Sequence, residues 1–374
     1  MNQPLYQQII TSLLNEIDTG RLQPGDQVPS EKELTDQYQV SRITAKKALD
    51  QLAEEGVIVR IRGKGSYVNV SDALADEDVT GREGKELRRG DRLIGAIFPS
   101  YTDGYGLLLQ YAVEKTIAEL GGSLVIKRSN HSVEEEEAAI DALLDLQVDG
   151  IIVFPADSRE YNQRLLKMIL DEFPVVVVDR NLKGIQACTV HTDNKTAAYK
   201  LAAHLLETGH KHIAFISPDP NRTSTLEDRL AGFQQAFLAS GTRLCSDYLI
   251  TDIPSGYSCK SSDTHSGEYR LMKKLLEEHP QITAYVCAEY EIAIILYKLL
   301  ESMGLRVPED CSIVCFDCPD DPYDHLNRPR FTHIRQYEEK MGRTAVELLF
   351  AQIENKEVPK LTLLGFEFKE GRST

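Results

Sequence analysis

Hydrophobic and polar positions divide the chain into two regimes. In the first seventy residues, short amphipathic stretches alternate with breakers. Leu5 to Ile17 carries apolar residues at helical spacing, and GRLQPGDQVP then interrupts it with Gly20, Pro24, Gly25 and Pro29. The run SEKE puts Ser30 at a helix N-cap with Glu33 three residues on, a capping box, and predicts a helix ending near Tyr38. Ser41 caps a third helix whose Ala45, Ala48, Leu49 and Leu52 share one apolar face, and Gly56 ends it. VIVRI and SYVNV flank the turn RGKG at residues 62–65, which reads as a β-hairpin. Three helices followed by a hairpin predict a winged helix-turn-helix over residues 1–70.

Residues 71–90 are polar, charged and poor in large apolar side chains, which predicts a linker. From residue 91 to 374 the pattern changes. Apolar runs such as LIGAIF, SLVIKR, DGIIVF, VVVV, CTVHT, HIAFIS, YLI, TAYVCA and SIVCFD alternate with helical stretches at 105–120, 133–146, 194–208, 225–240 and 289–303. Fully apolar strands between helices mean parallel sheets covered on both faces. The stretch is about twice as long as one doubly wound unit. The expected fold class is therefore α/β: an N-terminal winged head, then a bilobed domain of two doubly wound parallel sheets with a cleft between them.

Charge refines this picture. The 374 residues carry a formal net charge of −16, which by itself argues against nucleic acid. Residues 1–70 hold 8 basic and 9 acidic side chains, a net of −1, and the stretch 41–65 has six basic residues against Asp50, Glu54 and Glu55. A local basic face is all that phosphate contact needs. No apolar run approaches the length of a bilayer span, and the N-terminus lacks signal-peptide character, so no membrane partner and a cytoplasmic location are expected. Seven scattered cysteines fit reduced thiols. Cys311, Cys315 and Cys318 have a spacing that three cluster thiolates can adopt. SIVCF reads instead as a buried strand, so neither a metal nor another cofactor is expected. His204, His210 and His212 fall in a helix-to-strand turn, and residues 134–137 (EEEE) open a helix, where negative charge suits the dipole.

The run PSEKEL…VSRITAKKAL…L…EGVI…RGKGSYV resembles the GntR family of bacterial regulators in order and spacing over about 70 residues. The resemblance implies double-stranded DNA as a partner, with the SRxT helix in the major groove and the wing in the neighbouring minor groove. Carried over, it places Ser41, Arg42, Thr44, Lys46 and Lys47 on the reading helix. Arg42 is suited to a bidentate pair with guanine, and Ser41 and Thr44 to phosphates at the helix N-terminus. The family more often has arginine where Lys46 stands, and lysine supplies a point charge rather than a fork. Arg62, Gly63, Lys64 and Gly65 form the wing tip, where glycine lets the backbone approach closely. Glu31 reads chiefly as a helix-start residue that lies close enough to contact DNA.

From Arg92 onward, IGAIFP, DGIIVFP, VVVVDR, TDNKTAAYKLAAHLLETGHKHIAFIS, DRLAGF, AYVCA, GLRVPEDCSIVCFD and FTHIRQ resemble the LacI/GalR effector domain, itself similar to periplasmic sugar-binding proteins. The implied ligand is a small sugar. Such a ligand needs multidentate polar groups for its hydroxyls and an aromatic plate for its ring. The resemblance implies effector contacts from Arg229, Asp317 and Gln336, the last placed at a third crossover between lobes. Tyr101 and Asp103 follow the first strand, Ser129 and Asn130 the second, Asp179 and Arg180 the fourth. All were expected at carboxyl ends of strands, where open α/β sheets bind ligands. After AYVCA the family commonly has Asn-Asp, and here Glu289 and Tyr290 stand, so a carboxylate replaces an amide at that contact.

No nucleophile elbow, P-loop, H-E-x-x-H or dinucleotide fingerprint occurs, so an enzyme is not expected. The expectation is a homodimeric regulator, a repressor of carbohydrate-utilisation genes, that binds an inverted-repeat operator and is released by its effector. The joint resemblance, a GntR-type head on a LacI-type body, is similar to that of sugar-operon repressors and implies L-arabinose as the first ligand to consider. The alternative is a DNA-binding regulator whose bilobed domain senses a non-sugar metabolite or a protein.

Overall fold

The computed structural model describes residues 5–18, 21–22, 26–54, 57–61, 65–68, 92–100, 105–157, 162–253, 267–319 and 329–374. Its contacts divide the chain into two compact units, residues 1–86 and 87–374. The residues expected to form the linker, 71–90, lie outside the described set.

In the first unit, α1 (Leu5–Asp18), β1 (Gln27–Val28), α2 (Glu31–Tyr38), α3 (Arg42–Glu54), β2 (Ile58–Ile61) and β3 (Gly65–Val68) follow in order. The strands form an antiparallel sheet in the order β1-β3-β2. The expected capping box is present: Glu33 N donates to Ser30 Oγ and Ser30 N donates to the Glu33 carboxylate. These bonds hold the Glu33 carboxyl below the usual carboxylate range. The core joins Ile9 and Leu13 of α1, Leu34 of α2, and Ala45, Ala48, Leu49 and Leu52 of α3, under Ile58 and Val68 of the hairpin.

The second unit begins with β4 (Leu93–Phe98), α4 (Leu107–Glu119), β5 (Ser123–Arg128), α5 (Val133–Asp145), β6 (Gly150–Val153), α6 (Gln163–Leu170), β7 (Val175–Val178) and β8 (Cys188–Thr192). The chain then crosses into a second lobe. There it forms α7 (Asn194–Glu207), β9 (Ile213–Ile216), α8 (Ser224–Ser240), β10 (Leu249–Ile250), α9 (Gly267–Glu278), β11 (Ala284–Cys287), α10 (Tyr290–Ser302), β12 (Ser312–Phe316) and β13 (Thr332–Gln336). It returns to the first lobe with α11 (Glu338–Ile353) and β14 (Leu361–Leu364), and ends in the second with β15 (Phe366–Lys369).

Among the described residues both sheets have six strands, in the orders β14-β8-β7-β6-β4-β5 and β10-β9-β11-β12-β13-β15. All pairs are parallel except β13 with β15, so the second sheet departs from the all-parallel expectation at one edge. Gln336 ends β13 at the second of the three crossings, not the third: the third is at Gly365, between β14 and β15. Helices cover both faces of each sheet, as the unbroken apolar strands require. In the first lobe, α4 and α11 share a core with one face of the sheet, with Val113, Val176 and Val346 at 0% exposure, while α5 and α6 cover the other. In the second, α7 and α8 pack on one face and α9 and α10 on the other, the latter with Cys311, Cys315 and Cys318 as apolar filling. Burial pushes the Cys311 thiol up to about 11.

Candidate DNA-reading helix and effector cleft

In the first unit, α3 presents the residues singled out by the resemblance. Ser41 Oγ accepts from Thr44 N at 3.3 Å, and the two hydroxyls are 2.8 Å apart, so the helix start is capped locally. Arg42 is exposed and donates from Nε to Glu31 Oε2 at 3.1 Å. Glu31 thus orients the Arg42 guanidinium. Lys46 is exposed, and Lys47 Nζ lies 4.2 Å from the centre of the Tyr6 ring on α1. Arg62, Gly63 and Lys64 lie outside the described residues, and Gly65 opens β3 opposite Ile61.

In the second unit a cleft of about 620 Å³ opens where both sheets present the carboxyl ends of their strands. Two aspartates mark its floor with unusual backbones: Asp179, just after β7, has φ 65°, and Asp317, just after β12, has φ 57°. Each peptide N–H continues the sheet, Asp179 to Val190 O and Asp317 to Ile334 O, so strand pairing imposes the left-handed turn. The turn aims each carboxylate into the cleft instead of along the strand.

Arg229 is 4% exposed and is held from several sides. Its Nε donates to Asn194 Oδ1 at 2.9 Å and its Nη1 to Ala288 O at 2.6 Å, while Nη2 stands 3.8 Å from Asp317 Oδ2. The guanidinium stacks 3.7 Å from the centre of the Phe316 ring. Arg229 was expected at a strand end, but it stands on α8 and reaches back to the turn after β11. Gln336 Nε2 donates to Asp317 Oδ2 at 2.8 Å, and its buried Oε1 has no partner among the described residues. Burial pushes the Asp317 carboxyl up to about 7 against the pull of Arg229. Burial likewise raises Glu338, whose carboxylate accepts from Gly106 N at 2.7 Å.

From the first lobe, Tyr105 donates its hydroxyl to Asp179 Oδ1 at 2.5 Å. Arg180 donates to Pro155 O and Ala156 O and lies over the Phe154 ring, so it braces the wall behind the cleft. His131, with φ 61°, has its pKa lowered to about 4 by burial and by Arg180, which keeps it neutral. Across the rim the lobes touch directly. Arg222 Nε is 3.6 Å from Asp157 Oδ2, Lys183 pairs with Glu227, and Asn181 N donates to Ser224 Oγ at 2.8 Å.

The cleft therefore gathers Asn130, Asp179, Arg180, Arg229, Glu289, Asp317 and Gln336. Ser129 is corrected: it is completely buried behind Asn130 and does not line the cleft, because the left-handed turn begins one residue later. Tyr101 and Asp103 lie outside the described residues. Sequence reasoning missed Tyr105, His131, Asp157, Arg222 and Asp252, and passed over Tyr290 as a contact. Tyr105 had a signal, as an aromatic side chain just before a helix at a strand's carboxyl end. Arg222 and Asp157 had none, since only folding brings them together.

Residues 5–68 match the family of bacterial regulatory proteins termed gntR, and residues 202–374 match the periplasmic-binding-protein-like domain. Over 365 residues the chain is 27% identical to the arabinose metabolism transcriptional repressor of Geobacillus stearothermophilus, covering 96% of this chain and 93% of that one. It is 24% identical to the HTH-type transcriptional regulator GntR of Escherichia coli (strain K12), covering 92% and 98%. Its fold is similar to the transcription regulator CcpA of Lactococcus lactis, with a TM-score of 0.66, 24% identity and coverage of 76% and 99%.

The two matches define a class: transcriptional regulators with a DNA-binding head and a ligand-binding body. This chain joins a head, residues 5–68, that matches the gntR family to a body whose residues 202–374 match the periplasmic-binding-protein-like domain.

Proposed function

We propose that the chain is a homodimeric repressor that two heads dock on an inverted-repeat operator, and that a small neutral sugar in the cleft releases it. Residues 1–70 read DNA, residues 71–90 transmit, and residues 91–374 sense and dimerise. One observation carries the sugar reading. At the cleft floor, the buried Gln336 Oε1 has no donor among the described residues, beside the Asp317 carboxylate and the Arg229 guanidinium. A buried acceptor left open is costly, and a ligand hydroxyl is the donor that fits.

Two further points support it. Among the described residues, seven carboxylates and three guanidiniums line the cleft, which disfavours an anionic ligand. Tyr105 and Tyr290 place aromatic side chains along the walls. Dimerisation finds support in α4, whose Leu107, Leu108 and Tyr111 are exposed together on one helix. Among the described residues, no helix is long and apolar enough to cross a membrane. The polar groups of the cleft bind and orient; the reading includes no turnover.

Effector and operator are linked through a coupling free energy of ~1–3 kcal/mol, about 5–150-fold in operator affinity. L-arabinose is the first ligand to test, given the repressor relative named above. The test is calorimetric titration of the full chain with L-arabinose, other pentoses and hexoses, followed by operator binding with and without the ligand found. One sugar that binds, is not consumed, and weakens operator binding is the expected result. Saturating sugar that leaves operator binding unchanged in every case would overturn the reading.

A further inference from the structure

The DNA-reading helix carries one residue that polar contacts leave unexplained. Ile43 is 81% exposed, the most exposed large apolar side chain among the described residues of the head. A lone exposed isoleucine is ordinary on a protein surface. Its place is what matters. At 100° per residue, the buried Ala45, Ala48, Leu49 and Leu52 of α3 centre on one direction, and Ile43 points almost directly opposite. It therefore stands at the middle of the face turned furthest from the core. Arg42 precedes it, and Lys46 and Lys47 lie one turn on, so the isoleucine is framed by cations.

That frame selects one partner. The cations suit phosphates and base acceptors, and their charge draws the face to duplex DNA. Within the major groove the apolar group on offer is the C5-methyl of thymine. We propose that Ile43 is a specificity-determining residue that packs on a thymine methyl in each operator half-site, next to the base read by Arg42. This rests on the reading of α3 as the groove-docking helix. Ile43 adds what the polar residues cannot: discrimination of thymine from uracil, which offers the same hydrogen-bonding groups without the methyl.

The experiment uses the full chain. Operator duplexes are selected from a random pool, and each thymine is then replaced singly by deoxyuridine, which deletes the methyl and keeps every hydrogen-bonding group. Binding is read by anisotropy at fixed salt. One thymine per half-site should lose about fourfold on replacement, the factor for one buried methyl-sized group. Ile43→Ala should lose affinity for the thymine duplex to a similar degree and bind the deoxyuridine duplex no worse than wild type does. Ile43→Val, which keeps both branches, should retain the preference. If Ile43→Ala still distinguishes thymine from deoxyuridine, or if no thymine is methyl-sensitive, the inference fails while the DNA-binding reading stands. If the full chain selects no sequence at all, both fail.

Discussion

Asp317 is a carboxylate that its surroundings hold near neutrality. Burial raises it to about 7, with Glu338 and Asp179 adding repulsion and Arg229 opposing. Its folded-state value thus lies above the unfolded 3.8, so the folded chain holds a proton that the unfolded chain releases. The resulting stabilisation is present below about pH 4 and fades as pH rises through 7. Ligand binding acts with the opposite sign. Sugar hydroxyls donate best to the ionised carboxylate, so binding near neutrality should expel a proton. Effector affinity should rise with pH between about 6 and 8, by at most about tenfold per unit. Calorimetry in buffers of different ionisation enthalpy should detect the released proton, and Asp317→Asn should abolish both effects. A wild-type affinity that is flat over that range would show that Asp317 does not change state on binding. At Arg229 the consequence is structural as well. Arg229→Ala leaves Asn194 Oδ1, Ala288 O and the Asp317 carboxylate without their partner in the interior. The body should lose about 3 kcal/mol or more in denaturant titration, and effector binding with it.

Helices α7 and α8 set the position of that arginine, because Asn194 starts one and Arg229 rides on the other. They approach so closely at Gly232 that an added Cβ would lie 2.0 Å from Lys195 O. A backbone carbonyl cannot move aside as a side-chain tip can. Gly232→Ala should therefore force the helices apart and cost about 3 kcal/mol, the upper end for overpacking. Effector affinity should fall as Arg229 loses Asn194, although no cleft residue has changed. Retained melting temperature and affinity would show that α8 can slide freely. Most elements of this kind were legible beforehand. The capping box of Ser30 and Glu33, the apolar runs of β4 to β9 and the helix caps are local signals, written in consecutive residues. What escaped is non-local. The antiparallel β15, Phe-Glu-Phe-Lys, alternates apolar and charged residues over only four positions, and its pairing with β13 depends on where the third crossing lands. Gln336 was assigned to the wrong crossing for the same reason. Ser129 and Asn130 look alike in sequence, and a single left-handed turn buries one and turns the other toward the cleft.

At the scale of the whole ligand-binding unit, the lobes are joined by three crossings and by contacts that bridge the rim. Asp157 follows β6 in the first lobe, and Arg222 follows β9 in the second, with 3.6 Å between them. Lys183 meets Glu227, and Asn181 N donates to Ser224 Oγ at 2.8 Å, on the same side. Thr225 Oγ1 donates to Asp179 O at 3.3 Å and ties this rim to the floor. None of these bonds survives if the lobes swing apart, so each favours the closed arrangement specifically. Half-exposed ion pairs contribute little, about 1 kcal/mol at most, which bounds the effect of losing one. Arg222→Ala and Lys183→Ala should each weaken effector affinity by about two- to fivefold, and by less at high salt, where screening already weakens the pairs. Neither should lower the melting temperature of the effector-free body appreciably, because both lobes keep their cores. If closure is what releases DNA, the effector concentration for half-release of the operator must shift by the same factor as effector affinity. Exchanging the charges, Asp157→Arg with Arg222→Asp, should restore much of the loss. A double variant no better than Arg222→Ala would mean that Arg222 acts on the ligand directly and that the rim contacts do not govern closure.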